Sequence, residues 1–169
     1  PTSQPANDSM PWTLEYSVMR GQIEATKMLL RMKADPNAIG KRGTTPLADA
    51  ALKGDVESVR ILLEYGARPA FVSQAGTQPI HDAALGDNPE VIRELVAKGA
   101  DINARTRDEG QTPLHIAATM GKMKSVETLV TLGANQTIKD VKQLTPMEAA
   151  EKVGLTDVVT YLKRPTLVQ

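Results

Sequence analysis

Hydrophobic and polar positions recur along this chain with a period of about 33 residues, which is in the range of known tandem repeats. Four heptapeptides share a proline at their second position, and they lie at 45–51, 78–84, 112–118 and 145–151. The spacing of their prolines is constant except for one extra residue before Pro113, and a leucine follows every proline at the same distance. Thr13 and Leu29 stand where an earlier copy would place its proline and its leucine. This periodicity predicts five tandem copies of one supersecondary unit, of which the first is degenerate.

One copy, residues 44–76, predicts two short helices joined by a turn. Thr45 can cap a first helix that begins at Pro46, because the N–H that proline lacks would have no partner inside the helix. Gly54 interrupts that helix. From Val56 onward, apolar residues recur at helical spacing with charged residues between them, which predicts a second, amphipathic helix. In three copies a glycine, which tolerates a left-handed φ, follows the second helix, at Gly66, Gly99 and Gly133.

Two short helices cannot bury their apolar faces alone, so neighbouring copies must stack to complete a core. The heptapeptide TPLHIAA at 112–118, the GADIN at 99–103 and the segment 54–67 resemble ankyrin repeats, whose period and heptapeptide they match. The resemblance covers roughly residues 11–165. It implies an all-α solenoid of stacked helix–turn–helix pairs with short β-turn or hairpin loops.

This resemblance leads to a simple prediction of the domains. Residues 1–10 are expected to be a flexible N-terminal segment, and residues 11–169 an ankyrin repeat domain. The repeats are expected at about 11–43, 44–76, 77–110, 111–143 and 144–169.

Three copies depart from the pattern, and copy five does so by reaching Lys163-Arg164-Pro165 just where its second helix is expected to end. Copy one lacks the capping threonine and the proline, has Thr13 at the proline position, and has Lys33 where its siblings have glycine. In copy three, Gln78 replaces the capping threonine, which should forgo about 1 kcal/mol of capping. Asp87 occupies the glycine position between the helices of that copy. One extra residue in the loop 105–109 accounts for the longer step to the fourth copy.

Composition narrows the function classes. Apolar residues make up 41% of the chain and aromatic residues only 3%, so an aliphatic core is expected. Twenty basic residues balance twenty acidic ones, which argues against a protein that binds nucleic acid by neutralising phosphates. The chain has no cysteine and no apolar run long enough to span a membrane, and no segment of the sequence resembles a signal peptide. We therefore expect an intracellular protein, cytoplasmic or nuclear, that binds neither nucleic acid nor membrane.

Chemistry-bearing residues occur only at repeated positions. His81 and His115 both stand two residues after the motif proline, where a side chain can hydrogen-bond back to the helix cap. Helices of neighbouring copies would hold them about 10 Å apart, too far to share a metal. Asp49 and Asp82 also share a position, about a helix diameter apart, with no nucleophile, base or phosphate loop beside them. We expect no enzyme activity, no catalytic residue, no cofactor and no metal.

Function is expected at positions that differ between copies yet point the same way. The resemblance implies that these are the loop tips and the exposed side of each first helix, which line a concave groove. The candidate partner-binding residues are Met19, Arg20, Lys41, Arg42, Leu52, Lys53, Gln74, Leu85, Arg105, Arg107, Asp108, Glu109, Met120, Lys139 and Lys142.

Basic loop tips and deeper apolar residues predict a partner protein or peptide of acidic character. The alternative interpretation of the same cations is a solvated loop edge, since exposed lysine and arginine are common on any surface. The predicted function is a monomeric protein–protein interaction module. The alternative is a regulatory or targeting domain of a larger enzyme, channel or transcription regulator, which Pro1 in place of an initiator methionine would suit.

Overall fold

The computed structural model describes residues 13–164, which form ten helices and contain no strand. The helices are α1 Leu14–Met19, α2 Ile23–Arg31, α3 Pro46–Lys53, α4 Val56–Glu64, α5 Pro79–Gly86, α6 Pro89–Ala97, α7 Pro113–Thr119, α8 Met123–Thr131, α9 Pro146–Lys152 and α10 Thr156–Leu162. Odd-numbered helices are the first helices of repeats 1 to 5, and even-numbered helices are the second helices. The predicted all-α class is confirmed. The predicted N-terminal segment 1–10 lies outside the described residues.

The motif prolines begin four of the five first helices, as the period predicts. Pro46, Pro79, Pro113 and Pro146 are the first residues of α3, α5, α7 and α9. The hydroxyl of the preceding threonine caps three of these helices by accepting a backbone N–H, at Thr45, Thr112 and Thr145. The repeated threonine–proline pair therefore sets where each of these three first helices starts.

Repeat 1 corrects one expectation. The prediction that this copy lacks a capping threonine is wrong, because the Thr13 side chain accepts the N–H of Tyr16 at 3.1 Å. Helix α1 starts one residue later in the repeat than its siblings, so the residue at the proline position becomes the cap. Lys33 takes the left-handed φ of 68° that glycine takes in other repeats.

Repeat 3 carries the substitutions that the sequence singled out. The side chain of Gln78 makes no capping hydrogen bond, and its oxygen is buried without a partner. Asp87 adopts a φ of 56° at the glycine position. Its carboxylate also accepts the N–H of Ser125 at 2.9 Å, which links repeat 3 to repeat 4. The strained aspartate therefore contributes a contact between repeats that glycine could not make.

The core runs through the stack without a break. First helices pack on first helices from α1 to α9, and second helices pack on second helices from α2 to α8. Its largest fully buried aliphatic side chains include Leu47, Leu62, Ile80, Leu95, Leu114 and Leu129. Helices α3 and α5 approach very closely at Gly86, where a Cβ atom would lie 2.6 Å from the carbonyl oxygens of Ala51 and Leu52.

The loops between repeats form a second, hydrogen-bonded row. Each loop is closed by a backbone bond between its ends, in the pairs Gly40–Thr44, Ser73–Thr77, Thr106–Gln111 and Asp140–Leu144. One backbone bond joins each loop to the loop before it, from Gln74 to Gly43, Arg107 to Gly76 and Val141 to Glu109. The third loop has one more residue between its closing ends than the others, as the longer step between Pro79 and Pro113 predicts. The four loops therefore stand side by side.

Candidate functional site

The loops and the first helices share one side of the stack. The Lys41 N–H of the first loop donates to the Glu15 carboxylate on α1 at 3.2 Å. Arg42 of the same loop reaches Asp49 on α3. We call this side the loop face: residues 39–44, 72–77, 105–111 and 139–144, together with the exposed side chains of the first helices and their C-caps.

The structure exposes the candidate residues on the loop face. Fourteen of the fifteen are exposed, and Leu85 is half-buried. The first helices present Met19, Leu52 and Leu85 at one repeated position, where repeats 4 and 5 have Thr119 and Lys152. Whether these side chains contact a partner stays a prediction.

Arg42 is not a free cation. Its guanidinium forms a salt bridge with Asp49, whose side chain is 2% exposed, and the Thr44 hydroxyl donates to the same carboxylate oxygen at 3.0 Å. Since a buried carboxylate is costly without a partner, Arg42 serves first to compensate Asp49. The sequence interpretation treated the two residues separately, because their pairing depends on how the loop folds over α3.

Two further candidate cations also make bonds within the chain. The Lys53 ammonium donates to the Met19 carbonyl at 2.9 Å, which satisfies an end carbonyl of α1. The Arg105 guanidinium donates to the Lys139 carbonyl at 2.9 Å and so ties the third loop to the fourth. These side chains brace neighbouring repeats as well as facing solvent.

The remaining candidate cations of the loops form no salt bridge with any residue in 13–164. They are the exposed residues Lys41, Arg107, Lys139 and Lys142. Asp108 and Glu109 are exposed on the same loop as Arg107, so that loop carries mixed charge. The fourth loop differs, because its acidic residue, Asp140, is 3% exposed and accepts the N–H groups of Lys142 and Leu144 inside the turn.

Two carboxyl groups, of Asp49 and Asp82, lie at equivalent positions of α3 and α5. Each keeps one carboxyl oxygen buried without a hydrogen-bond partner. Burial, together with the charge of Asp49, raises the pKa of Asp82 to about 7. The pair lies close enough for electrostatic coupling across the repeat boundary, although the sequence interpretation expected no joint role for it.

Both histidines cap and bridge, as their repeated position predicts. Nδ1 of His81 accepts the Gln78 N–H at 3.0 Å, and Nδ1 of His115 accepts the Thr112 N–H at 3.2 Å. Their Nε2 atoms then carry the proton and donate to the carbonyls of Ala104 and Leu144, each at 3.0 Å. Burial lowers the pKa of both imidazoles, which keeps them neutral. Each histidine joins its first helix to one end of the loop that follows the second helix, at Ala104 just before the third loop and at Leu144 in the fourth.

Comparison with known proteins decides the family. A family model for ankyrin repeats in three copies matches residues 14–106, and a model for a single ankyrin repeat matches residues 109–141. The chain belongs to the ankyrin repeat family. Ankyrin repeats are generally protein–protein interaction modules, and members of the family are typically not enzymes. The named family therefore agrees with the stacked architecture.

One relative is a putative ankyrin repeat protein of Rickettsia bellii (strain RML369-C), which is 38% identical over 66 residues. The match covers 39% of this chain and 39% of the relative. The aligned region thus covers well under half the length of that relative.

Several exposed apolar residues on the loop face of this ankyrin repeat protein were not among the candidates. Tyr16 and Val153 on or after first helices were missed, and so were Ile39, Val72 and Val141, which lie on the loops where candidates were expected. A signal for Val153 was available, because it stands at the same repeat position as Met120. Tyr16 gave no such signal, since the equivalent residues of repeats 2 and 3 are Asp49 and Asp82.

Proposed function

We propose that this ankyrin repeat protein binds a partner protein or peptide through the loop face. The observation that carries the proposal is where exposed apolar side chains lie. Among the described residues, eight of the twelve exposed large apolar side chains are on the loop face: Tyr16, Met19, Ile39, Leu52, Val72, Met120, Val141 and Val153. The other four, Met28, Met32, Tyr65 and Leu132, lie on or directly after second helices.

Such a distribution suits a binding surface because exposed apolar groups supply affinity when a partner covers them. The backbone beneath them is held by the hydrogen-bonded loop row and by buried bridges such as His81 to Ala104. A surface held in place before binding loses little conformational entropy when it binds. The loop face therefore combines apolar anchors with a preorganised frame.

Binding, rather than catalysis, is the proposed activity. The imidazoles of His81 and His115 are occupied on both ring nitrogens by backbone partners. The perturbed carboxyl of Asp82 lies beside another carboxyl, with no nucleophile among its described hydrogen-bond partners. These groups stabilise or strain the stack and leave no acid–base pair for a reaction.

Paired surface variants test the proposal. Leu52→Arg with Met120→Arg places charge on the loop face, and Met28→Arg with Leu132→Arg does the same on the second-helix side. All four residues are exposed, so both proteins should fold, which circular dichroism checks. In affinity capture from a lysate of the source organism, we expect partners that bind the wild type and the second-helix variant but not the loop-face variant. Equal capture by both variants would contradict the proposal.

A further inference from the structure

We infer that the partner segment is asymmetric along the stack, with apolar side chains over repeats 1 to 3 and acidic side chains at the fourth loop, beside repeat 5. This inference rests on the proposed function and specifies which chemistry the loop face accepts. Its basis is a change in side-chain type near the middle of the stack, in two separate rows of the loop face.

The first row is the residue that precedes each loop turn. It is Ile39 and Val72 before the first two turns, with 45% and 42% exposure, and Arg105 and Lys139 before the last two. The second row lies near the ends of the first helices. It is Met19, Leu52 and Leu85 in repeats 1 to 3, and Thr119 and Lys152 in repeats 4 and 5. The first row changes from apolar to basic between the second and third loops, and the second row changes from apolar to polar between repeats 3 and 4.

Internal bonding sharpens this difference in charge. On the apolar part, the charge of Arg42 is compensated by buried Asp49, and Lys53 is bonded to backbone carbonyls of repeat 1. On the basic part, Lys139 and Lys142 form no salt bridge with any described residue. Among the described residues, the first loop carries one such unpaired cation, Lys41, whereas the fourth loop carries two and has its single acidic residue turned inward.

The fourth loop is also built to anchor a ligand. Val141 is 57% exposed and stands between Lys139 and Lys142, while the Asp140 carboxylate is turned into the loop by two backbone N–H groups. An apolar anchor flanked by two cations complements a partner side chain that is apolar and neighboured by Asp or Glu. Asp108 and Glu109 on the third loop would repel acidic side chains there, which directs the acidic end to the fourth loop.

The repeat spacing sets the length of the partner segment. Neighbouring helices pack about 10 Å apart, and an extended chain advances about 3.3 Å per residue, so each repeat matches about three residues of an extended partner. Three steps separate the first loop from the fourth. An extended segment of about nine to twelve residues would therefore reach from Ile39 to Lys142.

A random dodecapeptide library displayed on phage is the probe. We expect selection on the wild-type protein to enrich peptides that have aliphatic or aromatic residues toward one end. These peptides should carry Asp or Glu several positions away, on either side. The affinity of such a synthetic peptide should fall about tenfold in Lys139→Glu with Lys142→Glu, because two favourable charge contacts become repulsive. It should stay unchanged in the matched control, Lys98→Glu with Lys124→Glu, which alters exposed lysines after α6 and on α8.

A charge-swapped peptide completes the test. Replacing its acidic residues with lysine should restore binding to Lys139→Glu with Lys142→Glu and weaken binding to the wild type. Peptides that lose binding to Leu52→Arg with Val72→Arg but ignore the loop-four charge reversal would overturn this inference and still support the proposed function. Peptides insensitive to both sets of variants would overturn both proposals, and a library without any enriched binder would count against both.

Discussion

Two boundaries in the same stack, between repeats 2 and 3 and between repeats 3 and 4, are joined in different ways. At the second boundary the hydrogen bonds are made by neutral groups: the Asn103 side chain accepts the Asn135 N–H of repeat 4 at 2.8 Å, and buried His81 donates to the carbonyl of Ala104, which leads into the loop before repeat 4. At the first boundary the equivalent residues are Ala48 and Ala70, which cannot make either bond. The same repeated backbone thus forms boundaries that are held by different hydrogen bonds.

At the first boundary the Asn88 side chain donates to the Gly54 carbonyl at 2.8 Å, and the described side-chain bonds between α4 and α6 are made by charged groups. Arg60 on α4 bonds Glu90 and Glu94 on α6, each at 2.7 Å, but these groups lie on the surface, where such pairs contribute little. Beneath the loops the same boundary carries Asp49 and Asp82, where the boundary between repeats 4 and 5 has Ile116 and Ala149. Because the stability of a repeat array depends on its nearest-neighbour interfaces, we expect the stack to open first between repeats 2 and 3.

The largest expected effect comes from Asp82→Asn. The folded state holds the Asp82 pKa near 7 against an ordinary value of 3.8. The folded protein therefore keeps a proton that the unfolded chain releases, and stability falls as pH rises from about 4 to about 7. Removing the charge should raise the free energy of unfolding by about 3 kcal/mol at pH 8.

Urea unfolding at pH 5 and pH 8 measures this effect. In the Asp82→Asn variant, the two neutral histidines should cause most of the remaining pH dependence of stability. Because their pKa is lowered by folding, the free energy of unfolding should fall as pH drops below about 6.5. Asp49→Asn serves as a comparison, because it also removes the partner of Arg42. An Asp82→Asn protein that is no more stable at pH 8 would show that this boundary bears no electrostatic strain.

The next effect tests the better-bonded boundary. His81→Ala removes the bond to Ala104, leaves the Gln78 N–H without its acceptor and opens a cavity in a buried site. We expect a loss of about 3 kcal/mol in the free energy of unfolding, measured by thermal or urea denaturation. If the loss were under about 0.5 kcal/mol, the presence of His81 in repeat 3 and of Ala48 at the same position of repeat 2 would make no difference to stability.

The close approach of α3 and α5 gives a smaller effect. In Gly86→Ala the new Cβ would meet the carbonyls of Ala51 and Leu52, which are backbone atoms and cannot simply rotate away. We expect a loss of about 2 kcal/mol by denaturation. Met120→Ala, at the equivalent and exposed position of repeat 4, is the control and should change stability little.

The smallest expected effect comes from a substitution that adds hydrogen bonds at the boundary between repeats 2 and 3. Asn37 receives the Arg68 N–H at 2.8 Å and donates to the Gly66 carbonyl at 3.1 Å, which ties repeat 1 to repeat 2. Ala70→Asn would offer the same pair of bonds one repeat later. A gain of about 1 kcal/mol is expected, measured against the wild type in the same denaturation series. Unaltered stability would mean that loop geometry, and not the missing side chain, limits this boundary.

The sequence predicted the backbone better than the side-chain partnerships. Helix starts at the motif prolines follow from local capping chemistry, and His81 and His115 follow from their repeated position. The Arg42–Asp49 pair and the raised pKa of Asp82 could not be predicted, because they depend on contacts between a loop and helices of different repeats. Thr13 shows that local capping rules also have a limit. Helix α1 starts one residue later in its repeat than the other first helices, so the residue at the proline position became the cap.

The central claim is that this ankyrin repeat protein acts through its loop face. Hydrogen–deuterium exchange, compared with and without a bound peptide from the library selection, tests that claim most directly. We expect slower exchange at residues 39–44, 72–77, 105–111 and 139–144, with α4 and α8 unchanged. Protection confined to the second helices, with the loops exchanging as in the free protein, would contradict the account.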